Sequence, residues 1–590
     1  MATELFIGLA SILVLGIFGQ WLAWRIKIPA ILPLLIVGLI AGPVSGLINP
    51  TLIFGDILFP FVSLAVGVIL FEGGLTLKLR DIKGVGKVIW NLNTFGAIIN
   101  SLIIGIFAHI CFNLSLPLSL LVGSILMVTG PTVVGPLLRQ IKLDKSISSI
   151  LKWEGIIIDP IGAIAALLVF EVIFIQNLGN PIGYTLTFIG ATIVIGTILG
   201  ALSALLVVQM IYRSWAPDYL QSTIALAIVV GTFTASNVIQ HESGLLTVTV
   251  MGIVLANQKK VKINHILKFK ENLTLILIST LFIILSARLP LDGLISSVNI
   301  KSIVFLASVV FIARPVSIFL STIGSSFTWQ QKAFLSLTAP RGIVAAMIGS
   351  LFSLKLMKLG IPNAEEIVII IFMVIIFTVS FNGLASGLIA KLLGVEQSRS
   401  YGVLIAGANN LARQIGMELQ KNNIETLIVD TNKSHVITAK SDGLNCIQTS
   451  ILSNKVLNEL ENVNIGRLLA LTPNDDLNAI ASIQFKEEFG KPKVYRLFPE
   501  AKEHRNNQPG QFLFDKGATY SLLSAKMMAG AKVKSIPLTE EFQLNDFKTK
   551  YQDTAIPLFL ISQKKELFIF AKDKKVPNTD NHILIALVPK

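Results

Sequence analysis

The sequence predicts an all-α polytopic membrane domain of about thirteen helices, followed by a cytoplasmic α/β Rossmann-like domain. Hydrophobic residues make up 53% of the 590-residue chain and charged residues only 14%, well under the roughly one quarter charged that soluble domains carry. Apolar stretches of about twenty residues, enough to cross a hydrocarbon core as helix, recur from Leu5 to about Leu393 and then stop. Beyond that point short apolar runs alternate with amphipathic stretches, the pattern of strand and helix in turn.

In order, the apolar spans are 5–24, 28–48, 53–75, 88–112, 115–139, 147–176, 182–212, 217–239, 243–257, 271–288, 302–323, 330–354 and 364–393. Alternate connections hold the positive charge: Arg25 and Lys27; Lys78, Arg80, Lys83 and Lys87; Arg139, Lys142 and Lys145; Arg213; and Lys259, Lys260, Lys262, Lys268 and Lys270. Loops of that kind face the cytoplasm. The connections 113–117 and 176–184 carry neither Lys nor Arg, although Arg288, Lys301, Lys355 and Lys358 relax the rule later. The N-terminus is therefore expected outside, and an odd number of spans delivers the C-terminal domain to the cytoplasm. Cys111 and Cys446 imply no disulfide framework, and a reducing compartment suits Cys446. No basic segment or small-residue cleavage site accompanies the first span, so it is expected to stay rather than be removed as a signal peptide. The net charge of +14 is orientation charge in short loops, with no nucleic-acid partner expected.

A charged side chain near the bilayer centre costs at least about 2.5–3.5 kcal/mol, so each one requires a reason. Within the spans stand Glu72, Glu154, Asp159, Arg314 and Arg341, with Lys152 and Glu171 nearer the ends of the sixth. Glu154 and Asp159 lie five apart on one helix and so point about 140° apart. They face different neighbours. Glu154 is read as the structural partner of an arginine; Asp159, ahead of Pro160 and its missing backbone donor, is read as the group that binds an ion or a proton. A buried structural ion pair is the alternative for either acid. Glu72 is read as a structural or tuning group.

Two spans are interrupted. The fifth contains Val128-Thr129-Gly130-Pro131-Thr132, with Pro136 beyond, and the twelfth contains Thr338-Ala339-Pro340-Arg341-Gly342. Either alone could be a proline kink. A matched pair in two halves of a membrane domain points instead to a midplane ion site, because unwound backbone offers carbonyls to a cation and half-helices offer their dipoles. Thr129 and Thr132 would add oxygens.

Phe71-Glu72-Gly73-Gly74-Leu75, Thr129-Gly130-Pro131, Glu154 to Asp159, Ser243-Gly244-Leu245-Leu246, Ala313-Arg314-Pro315 and Pro340-Arg341-Gly342 follow one another in this order. They resemble the third-, fifth-, sixth-, ninth-, eleventh- and twelfth-helix signatures of NhaP-type bacterial Na+/H+ antiporters, over roughly residues 5–395. That resemblance implies a domain at 1–395 in a bacterial inner membrane, working as a homodimer among lipids, in which Asp159 holds Na+ or K+ and H+ in turn and Thr129 lines the site. It also implies a Glu154–Arg314 pair and an Arg341 that stabilises the crossed breaks. Gly130 stands where the family has Asp, and Ile158 where it has Asn. Electrogenic relatives resemble a pair of adjacent acids at that point, so Ile158 favours one-for-one, electroneutral exchange. The physics agrees: an Asp carrying one proton or one Na+ is close to neutral, whereas an empty one is costly to move through a dry barrier. Na+ or Li+ is the expected cation and K+ the alternative, since a few hard oxygens suit either.

After a polar linker, Tyr401 to Ala406 reads as a strand, Gly407-Ala408-Asn409-Asn410-Leu411-Ala412 as a turn into a helix, and Thr426 to Val429 as a second strand ending in Asp430. An acid about twenty residues past a glycine turn can take a ribose hydroxyl. Gly407, Asn409 and Asp430 are thus the candidate cofactor residues, although Asn409 and Ala412 occupy the second and third glycine positions of GxGxxG. The stretch 400–516 resembles the TrkA-N, or regulator-of-K+-conductance, domain, which implies a dimeric sensor for NAD(H) or an adenine nucleotide; a scaffold that binds nothing is the alternative. Residues 535–590 are expected to form a smaller, degenerate lobe. A gated cation channel would require a filter such as TVGYG, and a membrane-anchored oxidoreductase an intact glycine fingerprint and a catalytic base. Neither is legible, and no enzyme activity is expected. Six scattered histidines with no HxxxH give no metal site beyond the transported ion.

Overall fold

Leu, Ile, Val and Phe on all sides of a helix leave it stable only against lipid or other helices, and the first of the chain's two units, Met1–Gln397, is built that way. The structure, a computed structural model, describes residues 2–26, 28–141, 143–174, 181–261, 263–396, 402–460, 463–500, 510–514, 517–563, 566–572, 574, 576–577 and 581–590. The first unit begins with α1 (Ala2–Ile26), α2 (Ile31–Leu39), α3 (Pro50–Phe54) and α4 (Leu58–Leu75). Next come α5 (Gly86–Asn91), α6 (Ala97–Phe112), α7 (Leu116–Leu126), α8 (Pro131–Gln140) and α9 (Lys145–Phe174). It continues through α10 (Pro181–Tyr212), α11 (Asp218–Ile239), α12 (Ser243–Asn257), α13 (Asn264–Ser286) and α14 (Leu291–Ser296). It ends with α15 (Ile300–Ser308), α16 (Arg314–Ser321), α17 (Trp329–Leu337), α18 (Ile343–Lys358) and α19 (Ala364–Leu392).

Among the described residues nine helices have the length and apolarity to cross a membrane. The other four expected spans differ in length or continuity. Three are the shorter apolar helices Ile31–Val44, Ser243–Asn257 and Asn272–Ser286. The twelfth is split into α17 and α18. Pro160 does not interrupt the sixth, since α9 runs unbroken through it.

Two triplets share one design. α5 and α6 join through a π turn at Leu92–Gly96, then come the broken pair α7 and α8 and the long α9. α15 and α16 join through a π turn at Val309–Ala313, then come the broken pair α17 and α18 and the long α19. An offset of seven spans reverses direction across the membrane, so these are inverted repeats.

In the second unit, Ser398–Lys590, the order is β1 (Gly402–Ala406), α20 (Asn410–Lys421), β2 (Thr426–Asp430), α21 (Lys433–Ser441), β3 (Cys446–Gln448), α22 (Asn454–Leu460), β4 (Ile465–Ala470), α23 (Asp475–Phe489), β5 (Val494–Arg496) and β6 (Gln511–Phe512). The strands pair in parallel in the order β3-β2-β1-β4-β5-β6. β1 is buried along its whole length, as a central parallel strand covered on both faces must be. Then α24 (Tyr520–Met528) leads to β7 (Lys532–Pro537), α25 (Leu544–Tyr551), β8 (Ile556–Ile561), β9 (Leu567–Ile569) and β10 (Ile583–Val588), an antiparallel sheet in the order β7-β10-β8-β9. It sits against α20, where Gln414 accepts from the Val533 amide at 3.0 Å and Glu418 from the Ser535 hydroxyl at 2.7 Å.

Candidate functional site

Proline at the first turn of a helix is favourable, and inside a span its missing amide stops the preceding helix. Pro131 opens α8 in this way, and Pro340 lies in the unwound stretch ahead of α18. α7 ends at Leu126 and α8 starts at Pro131; α17 ends at Leu337 and α18 starts at Ile343. The two unwound stretches cross in backbone contact. The Gly130 amide donates to the Pro340 carbonyl at 2.9 Å. A Cβ on Gly130 would lie 2.4 Å from Gly342 Cα, and one on Gly342 2.5 Å from Gly130 Cα. Only glycine at both positions permits this approach.

Arg341, fully buried, bridges the same crossing. Its Nη1 donates to the carbonyls of Met127 and Val128, both at 3.2 Å, and its backbone amide donates to Thr378 Oγ1 at 3.1 Å. Those carbonyls follow the C-terminal end of α7, the negative end of its dipole, where a cation is favoured. Arg341 Nε and Nη2 have no partner among the described residues.

The helix α9 lies along the first break through one face. A Cβ on Gly155 would sit 3.6 Å from Pro131 Cα and 3.8 Å from the Thr129 carbonyl, and one on Gly162 would meet Val128 Cγ2 at 2.0 Å. Asp159 falls between them, within about 60° of both round the helix. Its side chain is fully buried and neither carboxylate oxygen has a partner among the described residues. The hydroxyls of Thr129, Thr132 and Thr338 are buried and equally without one. A buried, unpaired carboxylate is so costly that it must meet a proton or a cation. Four groups with spare oxygen lone pairs and two unwound backbones offer the hard oxygens that a monovalent cation takes.

Glu154 faces elsewhere, as the angle between the two acids requires. It forms a two-pronged pair with Arg314 at the start of α16: Nη1 bonds Oε1, and Nη2 bonds Oε2 at 2.8 Å, with side chains 4% and 3% exposed. Glu72 is not brought to Asp159; it lines a cavity of about 460 Å³ with Thr76, Thr132, Lys152, Asn272 and Thr274. That cavity reaches the first break at Pro131 and Thr132. Sequence reasoning missed Gly155, Gly162 and Thr338. The glycines were legible as small residues one turn either side of an intramembrane acid; Thr338 carried no signal beyond its place in the break.

The second unit holds a separate crevice of about 240 Å³ at the carboxyl ends of β1, β2 and β4, where the strand order reverses. Gly407, Asn409 and Asp430 all line it. Gly407 has φ +99° and so suits the turn. Asp430 accepts from the Ala408 amide at 2.7 Å and the Asn432 amide at 2.9 Å, with His435 Nδ1 at 3.2 Å. Burial pushes its carboxyl up, but these bonds and the His435 contact outweigh that and hold it below the ordinary carboxylate range. Burial and then the Asp430 charge push the neighbouring Cys446 thiol up to about 11. A dinucleotide does not fit the glycine turn: Asn409, 8% exposed, fills the position where pyrophosphate must approach, accepting from the Ala412 amide and donating to the Leu471 carbonyl.

Comparison with known proteins gives matches over both units. A model of the sodium/hydrogen exchanger transmembrane family matches residues 9–392, and one of the TrkA-N domain matches 403–506. Na(+)/H(+) antiporter 1 of Methanocaldococcus jannaschii is 26% identical over 410 residues, 66% of this chain and 95% of that protein. The K(+)/H(+) antiporter NhaP2 of Shewanella baltica is 26% identical over 382 residues, 63% of this chain and 64% of that protein. The solved structure of the sodium proton antiporter MjNhaP1 from M. jannaschii at pH 8 superposes with a TM-score of 0.59 at 25% identity, covering 66% of this chain and all of that one.

Proposed function

Because the chain belongs to the sodium/hydrogen exchanger family of monovalent cation/proton antiporters, spanning the membrane many times and carrying a cytoplasmic TrkA-N domain, we propose that it exchanges Na+ or Li+ for H+, one for one, by alternating access. The observation that carries this reading is Asp159, a fully buried carboxylate on the face of α9 that packs on an unwound break, with neither oxygen bonded among the described residues. A cation reaches it through the cavity lined by Glu72 and Thr132 and is held by Asp159 with Thr129 and Thr132. A proton replaces it on the same oxygens. Loaded with either, the site is nearly neutral and can be carried past a dry barrier; empty, it cannot. No bond of a substrate is made or broken, so the protein acts as a carrier and not as an enzyme. One acid per site, with Ile158 beside it, balances one cation against one proton. We also assign the protein to homodimers in the membrane, with transport tuned by the TrkA-N domain.

K+ for H+ is the second reading. It is favoured by the absence of any side-chain oxygen at Gly130, Gly155 and Ile158, which leaves few protein ligands to strip a small, strongly hydrated ion, and by the NhaP2 relatives. Reconstituted vesicles with an internal pH dye, given Na+, Li+ and K+ in turn, decide. The sodium reading requires alkalinisation by Na+ and Li+ that is unaffected by a valinomycin clamp; a response to K+ alone replaces it with the second.

A further inference from the structure

The crevice of the second unit is shaped for one part of a ligand and closed to another, and a single side chain makes the difference. A phosphate held at a glycine turn needs backbone amides that point at it unpaired. In this turn three of them are in use. The Gly407 amide donates to the Val429 carbonyl at 2.8 Å, the Ala408 amide to Asp430 Oδ2 at 2.7 Å, and the Ala412 amide to Asn409 Oδ1 at 3.0 Å. Asn409 is tied on its other side as well, since its Nδ2 donates to the Leu471 carbonyl at 2.7 Å. The amide group therefore spans from the first turn of α20 to the end of β4, across the line along which a pyrophosphate would run.

Charge points the same way. Among the described residues no Lys or Arg lines the crevice, and the carboxylate of Asp430 does. A diphosphate there would face that carboxylate with no fixed cation. What remains on offer is the chemistry of hydroxyl recognition. Asp430 Oδ1 accepts only the Asn432 amide among the described bonds and keeps a lone pair, and the hydroxyl-bearing residues Thr449, Ser450, Thr472 and Tyr520 line the same space.

We propose that Asn409 makes this crevice a site for an uncharged, diol-bearing ligand of the nucleoside class and bars nucleoside diphosphates and dinucleotides from it. The proposal is independent of which cation the membrane domain exchanges. Asp430 takes the diol, and the Asn409 amide stands where the phosphates of a longer ligand would enter. Tyr520 opens α24 and α20 is bonded to β7, so a ligand seated here touches two of the elements that carry the antiparallel sheet.

The test is calorimetric titration of the full-length protein in detergent with adenosine, 2′-deoxyadenosine, ADP and NAD+. Adenosine is expected to bind, with the other three weaker by about tenfold or more, a difference of about 1.4 kcal/mol. Asn409→Gly keeps a tolerable helix cap and is expected to bring ADP and NAD+ up to the affinity of adenosine. Should that variant fail to fold, Asn409→Ser retains an acceptor for Ala412, removes the bridge to Leu471 and is expected to narrow the gap. ADP or NAD+ binding the unaltered protein as tightly as adenosine overturns the proposal. So do failure of adenosine to bind and a gap that neither variant narrows.

Discussion

Replacing Asp159 by Asn removes one charge and almost no volume, so it separates ion binding from folding. Asp159→Asn is expected to elute as the same detergent-solubilised particle as the unaltered protein yet to give no dye response to any cation in vesicles; normal exchange would mean that the carrier is another residue. Thr338 allows a finer test of the site, because its hydroxyl, in the second break, is buried and without a partner among the described residues. Thr338→Val is expected to raise the cation KM several-fold with the maximal rate kept, and Thr338→Ser to restore it. A purely structural hydroxyl would lower expression or melting temperature instead. The importance of Asp159 was legible in the sequence, because charge inside an apolar span is rare and costly. The role of Thr338 was not, because whether a threonine faces its own helix or an open site depends on where the backbone unwinds.

Between elements, the contacts that matter are the crossing of the two breaks and the strut from α9 to α16. A methyl group on Gly130 would have to occupy the space of Gly342, so Gly130→Ala is expected to destabilise the membrane unit by about 1–3 kcal/mol, the usual cost of overpacking. Thermal unfolding in detergent would register it as a lower melting temperature. Glu154→Ala leaves the Arg314 charge buried without its partner, a loss of about 3–5 kcal/mol. The expected sign is lower yield and melting temperature with an unchanged cation KM in the protein that survives. A selective loss of cation affinity would show that Glu154, and not only Asp159, holds the ion. The breaks themselves were readable from paired Gly and Pro inside apolar runs, and the opposed directions of Glu154 and Asp159 followed from helix periodicity. That the breaks touch through bare glycines was beyond the sequence, since contact at atomic range between segments some two hundred residues apart has no local signature.

At the scale of the whole molecule, the two units respond to different variables. In the second, Asp430 titrates below its ordinary value, so its contribution to stability is complete above the unfolded-state value of about 3.9 and is lost as pH falls through the lower folded value. Hydrogen exchange of the full-length protein is expected to show protection of the Ala408 and Asn432 amides falling in acid before that of β1; uniform loss would assign the effect to general unfolding. In the first, the crossing has a mechanical consequence. Four half-helices meet at a fulcrum made of two naked α-carbons riveted by the Gly130 to Pro340 bond, with a guanidinium clasping the carbonyls just past α7. A swing of one arm is therefore expected to carry the other. Discharging Asp159 on α9, which packs on the first break, would thus tip both repeats together, like a beam on a knife edge.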